Sequence, residues 1–183
     1  LDTIIGGIHW QAGDEAIMAE QDYGAMLDMF KLVSERHGVV NKMISVPNHP
    51  KDDAEIVALY KNAITPKTKV ILVSHMINIT GQILPIKKIS EMAHQYGVQV
   101  MVDGAHAFAH IQFSIADLGC DYYAASLHKW LSVPLGAGIL FVKKEHIKNI
   151  WPLFGDNEKD PNKILAFDYL YLGKAQLKAG QDS

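Results

Sequence analysis

The sequence predicts an α/β protein, a three-layer α/β/α sandwich built on a mainly parallel central sheet. Three observations predict it. Apolar strand-like segments alternate with helical segments along most of the chain. The segments Lys69–Ser74 and Val98–Val102 are almost continuously apolar, as strands covered on both faces are. Polar or small residues follow several strands directly, which is where open α/β sheets bind ligands.

The elements run in order. Leu1-Asp2-Thr3-Ile4-Ile5 is apolar and helix-like, with neither Met nor a cap. Ala16–Ala19, after Gly13-Asp14, reads as a short buried strand. Tyr23–His37 reads as an amphipathic helix, with Met26, Met29, Phe30 and Val33 at helical spacing and Gly38 as its stop. Val39–Val46 is a second strand, ended by Pro47 and Pro50. Asp52-Asp53 starts a helix through Ala63 that carries Ile56, Leu59 and Tyr60 on one face and acids in its first turn. After the strand Lys69–Ser74, Pro85 begins a helix through Tyr96, and Gly97 terminates it. The strand Val98–Val102 ends at Asp103. Tyr122–Ala125 is short and strand-like, Ala137–Val142 is the last clear strand, and a helix over Lys144–Ile150 follows. Lys174–Ser183 is polar without a core pattern, and both ends read as cuts through a longer protein.

Composition narrows the function classes. At 183 residues the chain is long enough for one domain with a substantial core. With 49% hydrophobic and 20% charged residues it is ordinary for a soluble protein. A net charge of −3 and scattered lysines argue against nucleic acid or an anionic membrane as the partner. No run of about 18 apolar residues is present, so no membrane span is expected, and Leu1–Trp10 lacks a signal-peptide pattern. Cys120 is the single cysteine, which rules out internal disulfides and a cysteine-rich metal site. A reduced, cytoplasmic setting is the expectation.

Four segments at strand ends form the search list for a site: Glu20–Gly24, Ser74–Gly81, Asp103–Ala107 and Ser126–Lys129. Asp103 ends an apolar strand, where it either caps the turn through Ala105-His106-Ala107 or pairs with a cationic group above the sheet edge. Lys129 lies in the largely apolar stretch Tyr122–Leu131, and a lysine in such surroundings is a competent amine nucleophile. Ser126 and His128 flank it as candidate donors to a phosphate. An amine and an acid on opposite sides of one ring are what pyridoxal phosphate (PLP) chemistry uses. The lysine forms a Schiff base, and the acid keeps the ring nitrogen protonated so that the ring accepts electrons.

Val102-Asp103-Gly104-Ala105-His106-Ala107 and Ser126-Leu127-His128-Lys129-Trp130-Leu131 resemble the class V aminotransferase family of fold type I PLP enzymes. Gly13-Asp14-Glu15 and Ser74-His75-Met76-Ile77-Asn78-Ile79-Thr80-Gly81 precede them in the family's order, so the resemblance covers roughly residues 13–154. It implies that Lys129 is the Schiff-base lysine and Asp103 the partner of the pyridine nitrogen. It places Tyr23 against the ring, Asn78 near the ring hydroxyl and substrate carboxylate, and His106 on the ring-oxygen side. Ser126 and His128 match phosphate or Schiff-base neighbours. His106 and the run His128-Lys129-Trp130-Leu131 before Pro134-Leu135-Gly136 resemble the isopenicillin N epimerase-like branch. Cysteine desulfurases more often carry glutamine and histidine at the His106 and Tyr23 positions. Phe108 departs from the branch pattern, and Cys120 reads as a core residue rather than a desulfurase nucleophile.

The resemblance further implies an amino-acid substrate, a homodimer, and an epimerase, lyase or desulfurase, or aminotransferase reaction at the α-carbon. Residues 1–160 then form a partial PLP-binding large domain, and 161–183 a poorly matching tail. The family's Gly/Thr-rich phosphate loop falls before Leu1, and its small C-terminal domain falls after the last residue. Arg36, the only arginine, reads as mid-helix and takes no substrate-binding role. Two other readings stand beside this one. The chain can be a catalytically impaired fragment that serves as a cofactor-binding or dimerisation module. Alternatively, Asp103, His106 and His110, at i, i+3 and i+7, form a metal site if that stretch is helical.

Overall fold

Almost continuously apolar segments become strands in this chain because helices cover both faces of the sheet. The computed structural model describes residues 1–151. Its strands are β1 (Glu15–Ala19), β2 (Val40–Ile44), β3 (Thr68–Ser74), β4 (Gln99–Asp103), β5 (Tyr122–Ser126) and β6 (Gly138–Val142). They form one sheet in the order β2-β1-β3-β4-β5-β6. The first five are parallel, and β6 runs antiparallel to β5 with Gly138 opposite Ser126. The helices are α1 (Asp2–Gly7), α2 (Gly24–His37), α3 (Asp53–Ala63), α4 (Ile86–His94), α5 (Ile115–Leu118) and α6 (Lys144–Ile147).

Strand alternation divides the core in two. Ala16, Met18, Val70, Leu72, Met101 and Tyr122 face Ile4 and Ile5 of α1 and Phe30 and Val33 of α2. Ile17, Ile71, Val73, Val100, Val102 and Tyr123 face Ile56 and Tyr60 of α3 and Ile86, Ile89 and Ala93 of α4. The outcome is the three-layer sandwich expected. Burying each large side chain stabilises it by about 1.5–3 kcal/mol before the entropy of ordering is subtracted.

Local signals set most boundaries. Gly38 takes a left-handed conformation (φ 70°) and stops α2, its N–H reaching the Ser34 carbonyl. Asp52 caps α3 by accepting the Glu55 N–H at 2.9 Å. Other elements are shorter than the sequence implies. As an edge strand, β2 pairs only with β1, and the pairing stops at Ile44 because β1 stops at Ala19. α4 ends at His94, before a turn leading to Gly97. α6 covers only Lys144–Ile147, and Arg36 belongs to the last turn of α2 rather than its middle. The four-residue α5 is too short for periodicity to reveal. The tail predicted at 161–183 lies outside the described residues, of which no helix is long and apolar enough to cross a membrane.

One topological feature positions the site. The chain steps from β1 outward to β2, then returns past β1 to β3 and continues the other way. A crevice opens at such a reversal, beyond the carboxyl ends of the strands.

Candidate active site

At that reversal Asp22 is buried between the ends of β1 and β3. It follows β1, and its side chain turns inward instead of capping α2. Its Oδ1 accepts from the Ser74 N–H (3.0 Å) and hydroxyl (2.7 Å), and its Oδ2 accepts from the Ala19 N–H (2.8 Å). The ends of β1 and β3 are thereby joined, and the chain enters α2 with Tyr23 at the N-cap position. Burial pushes the Asp22 carboxyl up to about 6, against the pull of these donors.

Asp103 ends β4 opposite Ala124 of β5. Its Oδ1 accepts from the Ala105 N–H at 2.9 Å, so the turn cap is formed. Among the described residues Oδ2 receives no hydrogen bond, and the carboxylate keeps a face toward the cavity. Gly104 is demanded by packing, because a Cβ there would fall within the ring of Tyr123. Tyr123 is buried and meets His75 Nδ1 at 3.2 Å, while the His75 N–H donates to the Asp103 carbonyl at 2.9 Å. Phe113 packs edge-on against His75, and burial pushes that imidazole down to about 4.

Lys129 lies in the turn after β5, anchored by Leu127 N–H to the Ala137 carbonyl at 3.0 Å. Its Nζ is 5.4 Å from the centre of the Tyr23 ring and 3.3 Å from His106 Nε2. Burial first, and then the charge of Lys129, hold His106 below the usual histidine range. Tyr23, Asp103, Ser126 and Lys129 line one cavity of about 270 Å³, together with Leu1, Met26, Ala105, Ala124, Ala125, Gly138 and Ile139. Three of the four strand-end segments thus converge. The fourth supports them from behind, through Ser74 on Asp22 and His75 on Asp103.

Three expected residues stand apart from the cavity lining, His106 among them, though it reaches the site through Lys129. Asn78 is exposed in the turn after β3. His128 is half-buried, and its Nδ1 is buried without a hydrogen-bond partner among the described residues. The metal reading of Asp103, His106 and His110 is not realised. Residues 105–110 form turns rather than a helix, so the three side chains diverge. Asp103 caps Ala105, His106 meets Lys129, and His110 stacks on Trp130 at 4.0 Å. Among the described residues, Asp121, Glu145 and His146 alone group as ligands to a metal might. Lys143 occupies that spot, 3.0 Å from Asp121 Oδ1. Cys120 is buried in the core before the start of β5, its thiol pushed up to about 12 by burial. β5 separates it from Lys129 by about 3.3 Å per residue of strand.

Sequence reasoning put Asp22, His75 and Gly104 in its candidate segments without giving any of them a role, and it gave Tyr123 no part in the site.

The aminotransferase class-V family model matches residues 1–162. Isopenicillin N epimerase of Streptomyces clavuligerus is 32% identical over 152 residues, 83% of this chain and 38% of that protein. A probable cysteine desulfurase of Mycolicibacterium paratuberculosis is 33% identical over 152 residues, 82% of this chain and 21% of that protein. Among solved structures, a lysine-to-alanine mutant of C-DES with glycine covalently linked to its PLP cofactor matches with a TM-score of 0.79 at 26% identity. That match covers 84% of this chain and 40% of C-DES. The chain therefore spans well under half the length of these relatives. The match runs through the strand ends that carry Tyr23, Asp103 and Lys129, and the chain belongs to the aminotransferase class-V family.

Proposed function

We propose that this chain supplies the cofactor-binding part of a PLP-dependent enzyme that acts at the α-carbon of an amino acid. The observation that carries the reading is the meeting of three groups at one cavity: the Lys129 amine, the Asp103 carboxylate and the Tyr23 ring. The donor set fits the cofactor. An aromatic face can lie against a pyridine ring, a carboxylate with one open oxygen can hold the ring nitrogen's proton, and an amine can bond the aldehyde covalently. When bound, PLP supplies an electron sink for charge that develops at the substrate's α-carbon.

The chain's own residues divide the remaining work. The Ala105 N–H holds the Asp103 carboxylate and the His75 backbone N–H holds its carbonyl, so the carboxylate keeps its aim without reorganising. Lys129 would hold the aldehyde, and its amine, freed when the substrate's amine takes over that bond, would be the base that moves the α-proton. His106 lies within hydrogen-bond reach of that amine. Ser126 and His128 are proposed as neighbours of the phosphate, and Asn78 as a contact to the ring hydroxyl and substrate carboxylate, reached from its exposed turn. The reaction belongs to the epimerase, lyase or aminotransferase classes, which share the proton step at Lys129. We also assign the working unit as a homodimer, supported by exposed Trp130, Leu131 and Leu135 beside the site.

The test is direct. Protein mixed with PLP is expected to develop a visible absorption band, and borohydride should fix the cofactor on a peptide containing Lys129. Lys129→Ala should abolish the fixation. Labelling at another lysine, or none at all, refutes the assignment.

A further inference from the structure

A second cavity, of about 290 Å³, opens at the amino ends of β3, β4 and β5, the opposite edge of the sheet from Lys129. His9, Lys69, Gln99 and Tyr122 are among the residues that line it. Gln99 and Tyr122 also end a chain of hydrogen bonds that begins at Asp121, buried just before β5. Burial pushes the Asp121 carboxyl up, but His94, the Val100 N–H, Lys143 and His146 outweigh burial and hold it below the usual range. A carboxylate only accepts, so His146 Nε2, 3.0 Å from Oδ1, carries a proton in either charge state of the ring. Lys143 and His94 share Asp121 with His146, Glu145 is 3.7 Å from its Nε2, and the Tyr122 ring packs on it at 5.5 Å.

The other end of that imidazole is where the chain can reverse. His146 Nδ1 lies 3.3 Å from Gln99 Nε2, and Gln99 Oε1 lies 2.9 Å from the Tyr122 hydroxyl. With Nδ1 bare, the Gln99 NH₂ donates to it and the amide oxygen accepts from the Tyr122 O–H. With Nδ1 protonated, two donors would meet, so the amide must turn over. Its oxygen then accepts from Nδ1–H, its NH₂ donates to the Tyr122 oxygen, and the Tyr122 O–H is released. A hydroxyl can accept as well as donate, so every link is satisfied in both arrangements.

We propose that this cavity is a second ligand site, for a carboxylate or phosphate oxyanion, and that turning of Gln99 couples its occupancy to the proton on His146 Nδ1. The released O–H needs an acceptor in the cavity, and an ionised oxygen accepts more strongly than a neutral one. Lys69 supplies positive charge beside it. Its Nζ donates to Asp14 at 2.8 Å and to the His9 carbonyl at 3.0 Å, which leaves one of its three N–H groups for the ligand. The coupling runs both ways: the proton favours the anion, and the anion favours the proton. Nothing in it depends on the cofactor.

The test titrates the ¹⁵N-labelled full chain with sodium formate and, separately, sodium sulfate at pH 5.5 and pH 8. Both anions keep one charge across that range, and sulfate stands in for a phosphate group. Side-chain NH₂ signals follow Gln99, and long-range ¹H–¹⁵N correlations follow His146. At least one anion should move the Gln99 signals saturably, with affinity about tenfold higher at pH 5.5. The anion that binds more tightly tells a carboxylate ligand from a phosphate one. Tyr122→Phe keeps the buried ring and removes only the O–H, so it should retain the parent's circular dichroism and lose the pH dependence of binding. A general gain of positive charge in acid would survive that substitution. Gln99→Met removes the amide, and the His146 signals should then stop responding to either anion. Three results overturn the proposal: no saturable movement at Gln99 with either anion, equal affinity at the two pH values, or a pH dependence that persists in Tyr122→Phe.

Discussion

Gly104→Ala is the perturbation that best tests whether the site is held from behind. The added methyl must enter the ring of Tyr123, contacting its Cε1, Cζ and hydroxyl oxygen. A flexible side chain on the surface would swing away at little cost. Tyr123 has no such exit, being 0% exposed, packed against Phe113 and joined to His75. Overpacking of a filled core costs about 1–3 kcal/mol, and losing the His75 contact to a buried hydroxyl adds about 1–3 kcal/mol. The sum is about 2–6 kcal/mol, measurable as a fall in urea midpoint at constant m-value. A double-mutant cycle isolates the cause. Tyr123→Ala alone should cost about 3–5 kcal/mol through the cavity it leaves. In that background Gly104→Ala should add almost nothing, because its methyl enters empty space. The coupling should therefore be as large as the single-mutant clash. Because Gly104 follows Asp103, the single variant should also weaken PLP capture. A Gly104→Ala protein within about 0.5 kcal/mol of the parent, or additive costs in the cycle, refutes the packing argument.

Three further outcomes follow from the charges. Asp22 is raised from an ordinary 3.8 to about 6, so its contribution to stability is complete below about pH 4 and is lost as pH rises through 6; at that shift the loss is about 3 kcal/mol. His75 is lowered from 6.5 to about 4, so its contribution is present above about 6.5 and is lost as pH falls through 4. The two slopes oppose each other between pH 4 and 6. Urea titrations should show Asp22→Asn gaining stability with pH more steeply than the parent, and His75→Phe losing it; unchanged profiles refute the burial argument. Asp121 is also buried, but His94, the Val100 N–H, Lys143 and His146 outweigh burial and hold it below the usual range. Asp121→Ala strands these partners and should cost about 3–5 kcal/mol in the same urea assay.

The legible part of this fold was whatever one segment decides alone. β3 and β4 were readable because a strand buried on both faces must be apolar throughout. Gly38 and Asp52 announced helix boundaries through chemistry that needs only neighbouring residues. Asp103 stood out because it ends such a strand, and Lys129 because it lies in a largely apolar stretch. What escaped depends on how segments meet. The antiparallel direction of β6 is set by its pairing with β5, and the residues of β6 are equally suited to either direction. The i, i+3, i+7 pattern of Asp103, His106 and His110 presumed a helix that Gly104 and the following turns do not form. Tyr23 and Asn78 were proposed on the same footing, yet the chain brings one to the cavity and leaves the other exposed in its turn.

The same distinction explains how the site is built. Tyr23, Asp103 and Lys129 are each steadied by residues from a different segment. Tyr23 enters α2 after Asp22, which Ser74 of β3 fixes. Asp103 is held by the His75 N–H and by the register that sets Tyr123 beneath Gly104. Lys129 meets His106, which in turn meets Trp130. No one of these supports is visible in a local pattern, because each exists only once β1, β3, β4 and β5 lie side by side. Catalytic geometry must be held to about 0.5 Å, and loops alone seldom hold it so closely. The parallel sheet brings the strand ends to one edge, and each strand end steadies its neighbour's reactive group. If that account is right, damage to a supporting residue such as Ser74 or Tyr123 should weaken PLP capture even though neither side chain reaches the cofactor. Loss of an equally buried core residue remote from the strand ends, such as Phe30, should lower stability while the folded protein captures PLP as before.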